Sequence, residues 1–303
     1  MDSFSLALNA VTSAMPAIEY KLGEKMKDHT TFKVGGPVSV MFFPRNAAEL
    51  ERLHAMMREF GIRTLVVGNG SNMLVGDKPL DMAVIKTAGL NTASRISGNQ
   101  IMAGAGVSLT QLSEFACKNN LSGLEFAYGI PGSVGGAVSM NAGAYGNEMK
   151  DIVCSTAVYS PGEGFSTVTG DQHCFSYRSS RFSGTGDIVL SSTVRLEKGS
   201  GESIREKMDG FNTRRRESQP LDIPSAGSTF KRPEEGFAAA FIEQSGLKGF
   251  AVGDAQVSDK HAGFIVNRGG ATFEDIERLI DHVRDTVYKR FGVELEPEVK
   301  IVT

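Results

Sequence analysis

The spacing of apolar residues divides this chain into alternating helical and extended stretches. Near the N-terminus Phe4, Leu8, Val11 and Met15 recur at three- and four-residue intervals, predicting an amphipathic helix that Pro16 interrupts. Residues 32–43 read as extended, broken at Gly35, Gly36 and Pro37. Asn46 is suited to cap a helix with the stripe Leu50, Leu53, Met57 and Phe60, which Gly61 ends. Short β-type runs follow at 65–67 and 82–85. Residues 95–106 read as strand and turn, and Ser108 caps a second helix with Leu109, Leu112, Phe115 and Ala116 on one face. Residues 123–195 hold many glycines, β-type runs at 153–159 and 188–195, and little helical periodicity. The polar stretch Lys198, Gly199, Ser200, Gly201 reads as a flexible linker. Beyond it come a helix-type segment (Ile204, Met208, Phe211), a proline-rich connector, an alanine-rich helix near 237–245 and a strand at 262–266. Thr272 and Asp275 then resemble a capping box. They open the clearest helix, with Ile276, Leu279, Ile280, Val283, Val287, Tyr288 and Phe291 on one side and Gly292 as its stop. A last strand is expected at 299–302. The mixture predicts an α+β protein.

Composition narrows the function. A chain of 303 residues fits two or three compact units. Its 41% hydrophobic and 22% charged content is that of an ordinary globular protein. The net charge of -3 argues against a nucleic-acid partner, which needs a basic face. Cys117, Cys154 and Cys174 are too widely spaced for a metal-ligand cluster and read as reduced thiols. With no signal-peptide pattern and no apolar run of roughly 18 residues, the expectation is a soluble cytoplasmic protein without a membrane partner, and a monomer.

Two glycine-rich segments carry the candidate chemistry. The first, Gly68, Asn69, Gly70, Ser71, Asn72, follows a predicted strand; the second runs from Gly129 through Ile130, Gly132, Ser133, Gly135 and Gly136 to Asn141 and Gly146. Glycines permit left-handed backbone and close approach, so successive N–H groups can converge on an anion such as a pyrophosphate. Tight turns in a β-rich domain are the plain alternative, which an isolated Gly-x-Gly would favour. Neither segment fits the dinucleotide fingerprint, because no third glycine lies two residues after Gly70 and no amphipathic helix follows. There is no P-loop.

These strings resemble the FAD-binding domain shared by vanillyl-alcohol oxidase-type (PCMH-type) flavoproteins and the UDP-N-acetylenolpyruvoylglucosamine reductases. Three further segments resemble the reductases in particular: 177–182 around Arg178, 225–233 around Ser228, and 295–300 around Glu298. The resemblance covers nearly the whole chain from about residue 20. It implies an N-terminal helical segment (1–28), a two-part FAD-binding domain (29–196, with subdomains near 29–87 and 88–196) and a C-terminal α+β substrate-binding domain (202–303). FAD would be held noncovalently by Gly68, Asn69, Gly70, Ser71, Asn72, Ile130, Gly132, Ser133, Gly135, Gly136 and Asn141, with NADPH as reductant.

By residue chemistry alone, Arg178 suits bidentate carboxylate binding or a surface ion pair, and Ser228 a presented hydroxyl or a turn. Glu298 and Lys300 would share one strand face, with Val299 and Ile301 on the other. The resemblance implies that Arg178, Ser228 and Glu298 are the catalytic arginine, proton donor and glutamate of the family. Hydride would pass from NADPH to flavin N5 and on to C3 of the enolpyruvyl ether; Arg178 and a protonated or proton-sharing Glu298 would stabilise the resulting charge, and Ser228 would protonate C2. Gln219, Lys231, Arg232, His261 and Lys300 are candidates for substrate contact, and Lys231 for stabilising the serine alkoxide. Only residues 183–187 separate the Arg178 motif from the next strand, which resembles the shorter branch of the family, lacking a substrate-clamping insertion. An FAD oxidase of the same fold and a non-catalytic nucleotide-sugar binding protein stay open as alternatives.

Overall fold

The computed structural model describes residues 2–303. The chain forms two compact units: residues 1–23, 39–69 and 81–213 make the first, and 24–38, 70–80 and 214–303 the second. Helices are numbered α1 (Ser3–Ala14), α2 (Ala47–Glu59), α3 (Leu109–Lys118), α4 (Val134–Ser139), α5 (Gly201–Ser218), α6 (Ala238–Gln244) and α7 (Phe273–Phe291).

The first unit holds two sheets. One has the strand order Glu19–Leu22, Val38–Phe43, Leu80–Lys86, Thr64–Val67, with the outer pairs antiparallel and parallel respectively. The other is antiparallel throughout, in the order Gly164–Thr169, Val153–Ser160, Ile188–Arg195, Gln100–Gly104, Ala93–Ser97. A single core joins them. Phe42, Leu53, Ile85, Ile101, Leu112 and Val158 all contribute, so α2 and α3 bury their apolar stripes against the same cluster as the sheets. Both helices begin as the sequence requires: Asn46 accepts from Glu49 N–H at 2.9 Å, and Ser108 forms a capping box with Gln111.

The second unit packs α6 and α7 on a sheet ordered Ser225–Ser228, Phe264–Asn267, Ala255–Val257, Ala251–Val252. Strands Met73–Val75 and Lys300–Val302 pair in parallel beside it. In α7 the Thr272 hydroxyl accepts from Asp275 N–H at 3.1 Å while the Asp275 carboxylate accepts from Thr272 N–H at 3.0 Å. Ile276, Leu279, Ile280, Val283 and Val287 are buried, each worth roughly 1.5–3 kcal/mol relative to exposure. Gly292 closes the helix in the left-handed conformation, φ 70°. Thr272→Ala should cost about 1 kcal/mol, read as a lowered urea midpoint with an unchanged slope.

The structure corrects several expectations. Tyr288 is 60% exposed, because the α7 stripe narrows toward its end. The 198–201 linker is anchored: Glu197–Lys198 pairs with Leu121–Ser122, Gly199 N–H reaches Asn120 O, and Gly201 N–H reaches the Asn120 side chain. Residues 32–36 are not strand; Phe32 and Val34 are buried, Pro37 makes an isolated bridge with Lys25, and continuous pairing is confined to Val38–Phe43. A short helix, α4, lies inside the second glycine segment. Its glycines give no apolar signal, yet a Cβ on Gly135 would sit 2.9 Å from the Ala105 Cβ, so bare backbone is what packs there. Strand Glu19–Leu22 gives no alternating signal because it is exposed on both faces. No helix among the described residues is long and apolar enough to cross a membrane.

Candidate active site

Each unit brings together part of the predicted residue set. In the first, strand Thr64–Val67 delivers Gly68 and Asn69, and the 129–136 segment meets them. Asn69 Nδ2 donates to Pro131 O at 3.1 Å. A Cβ on Gly68 would lie 2.2 Å from the Ser133 hydroxyl, so this approach requires glycine. Ser133 precedes α4, is 2% exposed, and its hydroxyl has no hydrogen-bond partner among the described residues. Gly135 N–H donates to Ala105 O and Gly132 O accepts from Leu109 N–H, locking the segment onto the core. Ile130 packs against that core, and Gly136 lies exposed within α4.

A lysine that no motif singles out lies against these loops. Lys86 ends strand Leu80–Lys86 opposite Val67, is 7% exposed, and donates its ammonium to Gly68 O at 2.5 Å. Burial pushes it down from 10.5 to about 8. A lysine lowered by folding penalises the folded state wherever it stays charged, here about 3 kcal/mol below pH 8. That penalty fades as pH rises from about 8 toward the unfolded value.

Asn141 is fully buried with φ 43°, and its amide is engaged by the protein. Nδ2 donates to Glu148 at 2.6 Å and to Ser176 O at 2.9 Å, and Oδ1 accepts from Lys150 N–H. It therefore pins the turn that carries Arg178. Ser176 and Ser179 bridge that turn, Arg178 sits at φ 53°, and its Nη2 donates to Gly143 O at 3.2 Å. The guanidinium also lies 5.2 Å from the Tyr177 ring centre. Left-handed backbone at a non-glycine residue is strained, on the order of 1–3 kcal/mol.

The second unit gathers Ser228, Glu298 and Asn72. Ser228 ends its strand, exposed, beside left-handed Gly227 at φ 78°. The chain after it runs antiparallel to 296–298: Glu298 N–H donates to Thr229 O at 2.8 Å, Phe230 bridges Pro297, and Lys231 N–H donates to Glu296 O. Asn72 clamps the same strand from the other side, its Nδ2 donating to Glu298 O at 3.0 Å and its O accepting from Lys300 N–H. Gly70 turns at φ 62° with its O accepting from Thr31 N–H, and Ser71 is half-buried in the turn. A Cβ on Gly70 would fall 2.1 Å from His29 O. Gly70→Ala should cost roughly 3 kcal/mol or more, measured as a large fall in thermal midpoint; a change within 1 °C, as order of magnitude, would contradict that geometry.

The remaining substrate candidates differ in readiness. His261 lies in the turn before Ser228's strand partner Phe264; its Nδ1 accepts from Gly263 N–H at 3.1 Å, so the neutral ring carries its proton on Nε2. Burial lowers its pKa, favouring that neutral form. Lys231 is ion-paired to Glu296 at 2.5 Å, and the Arg232 guanidinium lies 4.1 Å from the Phe237 ring centre. The Lys300 side chain is exposed. Gln219 closes α5 with its N–H on Arg215 O. The expected strand alternation is incomplete: Val299 is buried, but Ile301 is 42% exposed.

Comparison with known proteins fixes the family. Residues 219–302 match the model of the UDP-N-acetylenolpyruvoylglucosamine reductase C-terminal domain, and residues 38–165 that of an FAD binding domain. A UDP-N-acetylenolpyruvoylglucosamine reductase of Caldanaerobacter subterraneus is 46% identical over 93% of each chain. The chain belongs to the UDP-N-acetylenolpyruvoylglucosamine reductase family. A Latilactobacillus sakei reductase is 43% identical over 97% of each chain. The crystal structure of the Thermus caldophilus reductase superposes with a TM-score of 0.79 at 34% identity, covering 94% of this chain and 99% of that one. Berberine bridge enzyme from Eschscholzia californica, 14% identical over 63% of this chain with a TM-score of 0.51, shares the fold alone.

The protein is thus an α+β flavoenzyme of this reductase family, with an FAD-binding domain of the vanillyl-alcohol oxidase type. The residues present fit the cofactor. Gly68 and Gly135 sit where side chains are excluded, Ser133 offers a buried hydroxyl with no internal partner, and Lys86 is a buried cation beside them.

Proposed function

We propose that the protein reduces UDP-N-acetyl-3-O-(1-carboxyvinyl)-glucosamine to UDP-N-acetylmuramate with NADPH, a step in peptidoglycan precursor synthesis. The observation that carries this reading is the pairing of residues 229–231 with 296–298, which sets Glu298 beside the residue that follows Ser228 within one unit. FAD, held noncovalently, supplies when bound the hydride for C3 of the enolpyruvyl group, replenished from NADPH.

Hydride arrival at C3 leaves charge at C2 that spreads into the substrate carboxylate. Arg178 answers that charge with planar donors held in a strained, preorganised turn, so little reorganisation accompanies the reaction. Glu298 must carry a proton to assist, because an ionised carboxylate has no donor to offer another. Ser228, exposed at the strand end, gives its proton to C2. The Lys231 ammonium is paired with Glu296 and would exchange that partner to stabilise the serine alkoxide. His261 with its Nε2–H, Arg232, Lys300 and Gln219 supply donors for the nucleotide sugar. The five residues 183–187 tie back on themselves through Arg181 and Asp187 at 3.4 Å and bear no aromatic clamp, which supports the shorter branch of the family. In this reading the enzyme works as a cytoplasmic monomer on a small molecule, with no nucleic-acid or membrane partner.

The test is product identification without oxygen. One NADPH should be consumed per enolpyruvyl substrate, giving a product heavier by two hydrogens. NADPH consumption that requires oxygen and yields peroxide would support an oxidase instead.

A further inference from the structure

Lys86 is the one buried ammonium at the meeting point of the two glycine segments, and the protein gives it no carboxylate. Among the described residues its only hydrogen-bond acceptor is Gly68 O, and no acidic side chain lies within ion-pair reach. At the same point the Ser133 hydroxyl is buried without a partner, 2.2 Å from the position a Gly68 Cβ would occupy, and Thr87 Oγ1 lies 3.8 Å from that position. A cation removed from water needs a compensating anion. A neutral carbonyl supplies only part of that compensation. Val67, opposite Lys86 in the parallel pair, leads directly into Gly68, so the strand register fixes the ammonium below the loop.

We propose that the Lys86 ammonium is the buried counter-charge for the diphosphate of FAD, with the Ser133 hydroxyl as its neutral companion donor. The inference rests on FAD as the cofactor, which binding of FAD to the unmodified chain tests in the same titration. The competing role is a purely structural tie: Lys86 holds Gly68 O and nothing else.

Full-length protein stripped of flavin separates the two roles. FAD and riboflavin, which lacks phosphate, are titrated into the wild-type chain, Lys86→Met and Lys86→Arg, following flavin fluorescence at several salt concentrations. Lys86→Met should weaken FAD roughly 10–100-fold and flatten its salt dependence, while riboflavin affinity stays within about twofold of wild type. Lys86→Arg should recover most of the FAD affinity. Equal weakening of FAD and riboflavin, or unchanged FAD affinity, would overturn the proposal. The thermal midpoint of the flavin-free chain gives a second reading: Lys86→Met should hold or raise it, since an uncompensated charge is removed, whereas a structural tie predicts a fall. If Lys86→Met does not fold, Lys86→Gln is carried through the same titrations, with the same outcomes deciding.

Discussion

Replacing Ser228 with alanine should leave a folded flavoprotein that NADPH still reduces, but slow reduction of the enolpyruvyl substrate roughly 10³-fold. The structure makes the substitution clean. Ser228 is exposed at a strand end, and the pairing with 296–298 runs through the backbone of Thr229, Phe230 and Lys231. Loss of the hydroxyl should therefore change stability by no more than about 0.5 kcal/mol. Single-turnover kinetics separate the two half-reactions; a Ser228→Ala enzyme equally impaired in both would contradict the proton-donor role.

Glu298 carries the second large expected effect. Its backbone is fixed from both sides, by Thr229 O and by Asn72 Nδ2, so side-chain replacements leave the strand in place. In the proposed mechanism Glu298→Ala removes a donor to the developing charge and should lower the substrate step roughly 10²–10³-fold. Glu298→Gln keeps an N–H donor in nearly the same shape and should recover part of that loss. The comparison decides how the carboxyl acts. If the glutamine enzyme is as slow as the alanine one, a proton transferred by Glu298 is needed, and stabilisation by a held hydrogen bond is the wrong description.

The sequence declared its helices where local chemistry was complete. Thr272, Asp275, the buried stripe from Ile276 to Val287 and Gly292 each act within a few residues of one another, so α7 could be read almost whole. Elements defined by distant partners were harder. Glu19–Leu22 is a strand only because Val38–Phe43 pairs with it, and Lys198 belongs to a strand only because Leu121–Ser122 lies alongside. Residues 24–38 and 70–80 cluster with the C-terminal residues through contacts such as Asn267 Nδ2 to Phe32 O, which no periodicity announces.

The site divides in the same way. Motif strings carried the names of Arg178, Ser228 and Glu298, but the Asn72 clamp on the Glu298 strand requires the fold. Asn141 shows the limit from the other side. It lies in a glycine segment, where the resemblance implies a cofactor contact, and its amide holds the Arg178 turn through Ser176 O. Its effect on FAD would pass through that turn and the neighbouring backbone. Lys86 was unreadable for a different reason: a lysine at the end of a β-run looks like a solvated strand terminus until burial and the missing carboxylate are seen together.

Mixing NADPH-reduced enzyme with UDP-N-acetyl-3-O-(1-carboxyvinyl)-glucosamine in a stopped-flow instrument, under strict exclusion of oxygen, tests the proposed reaction most directly. Oxidised-flavin absorbance should return in step with formation of UDP-N-acetylmuramate. Flavin that stays reduced until oxygen is admitted would contradict the proposed reaction.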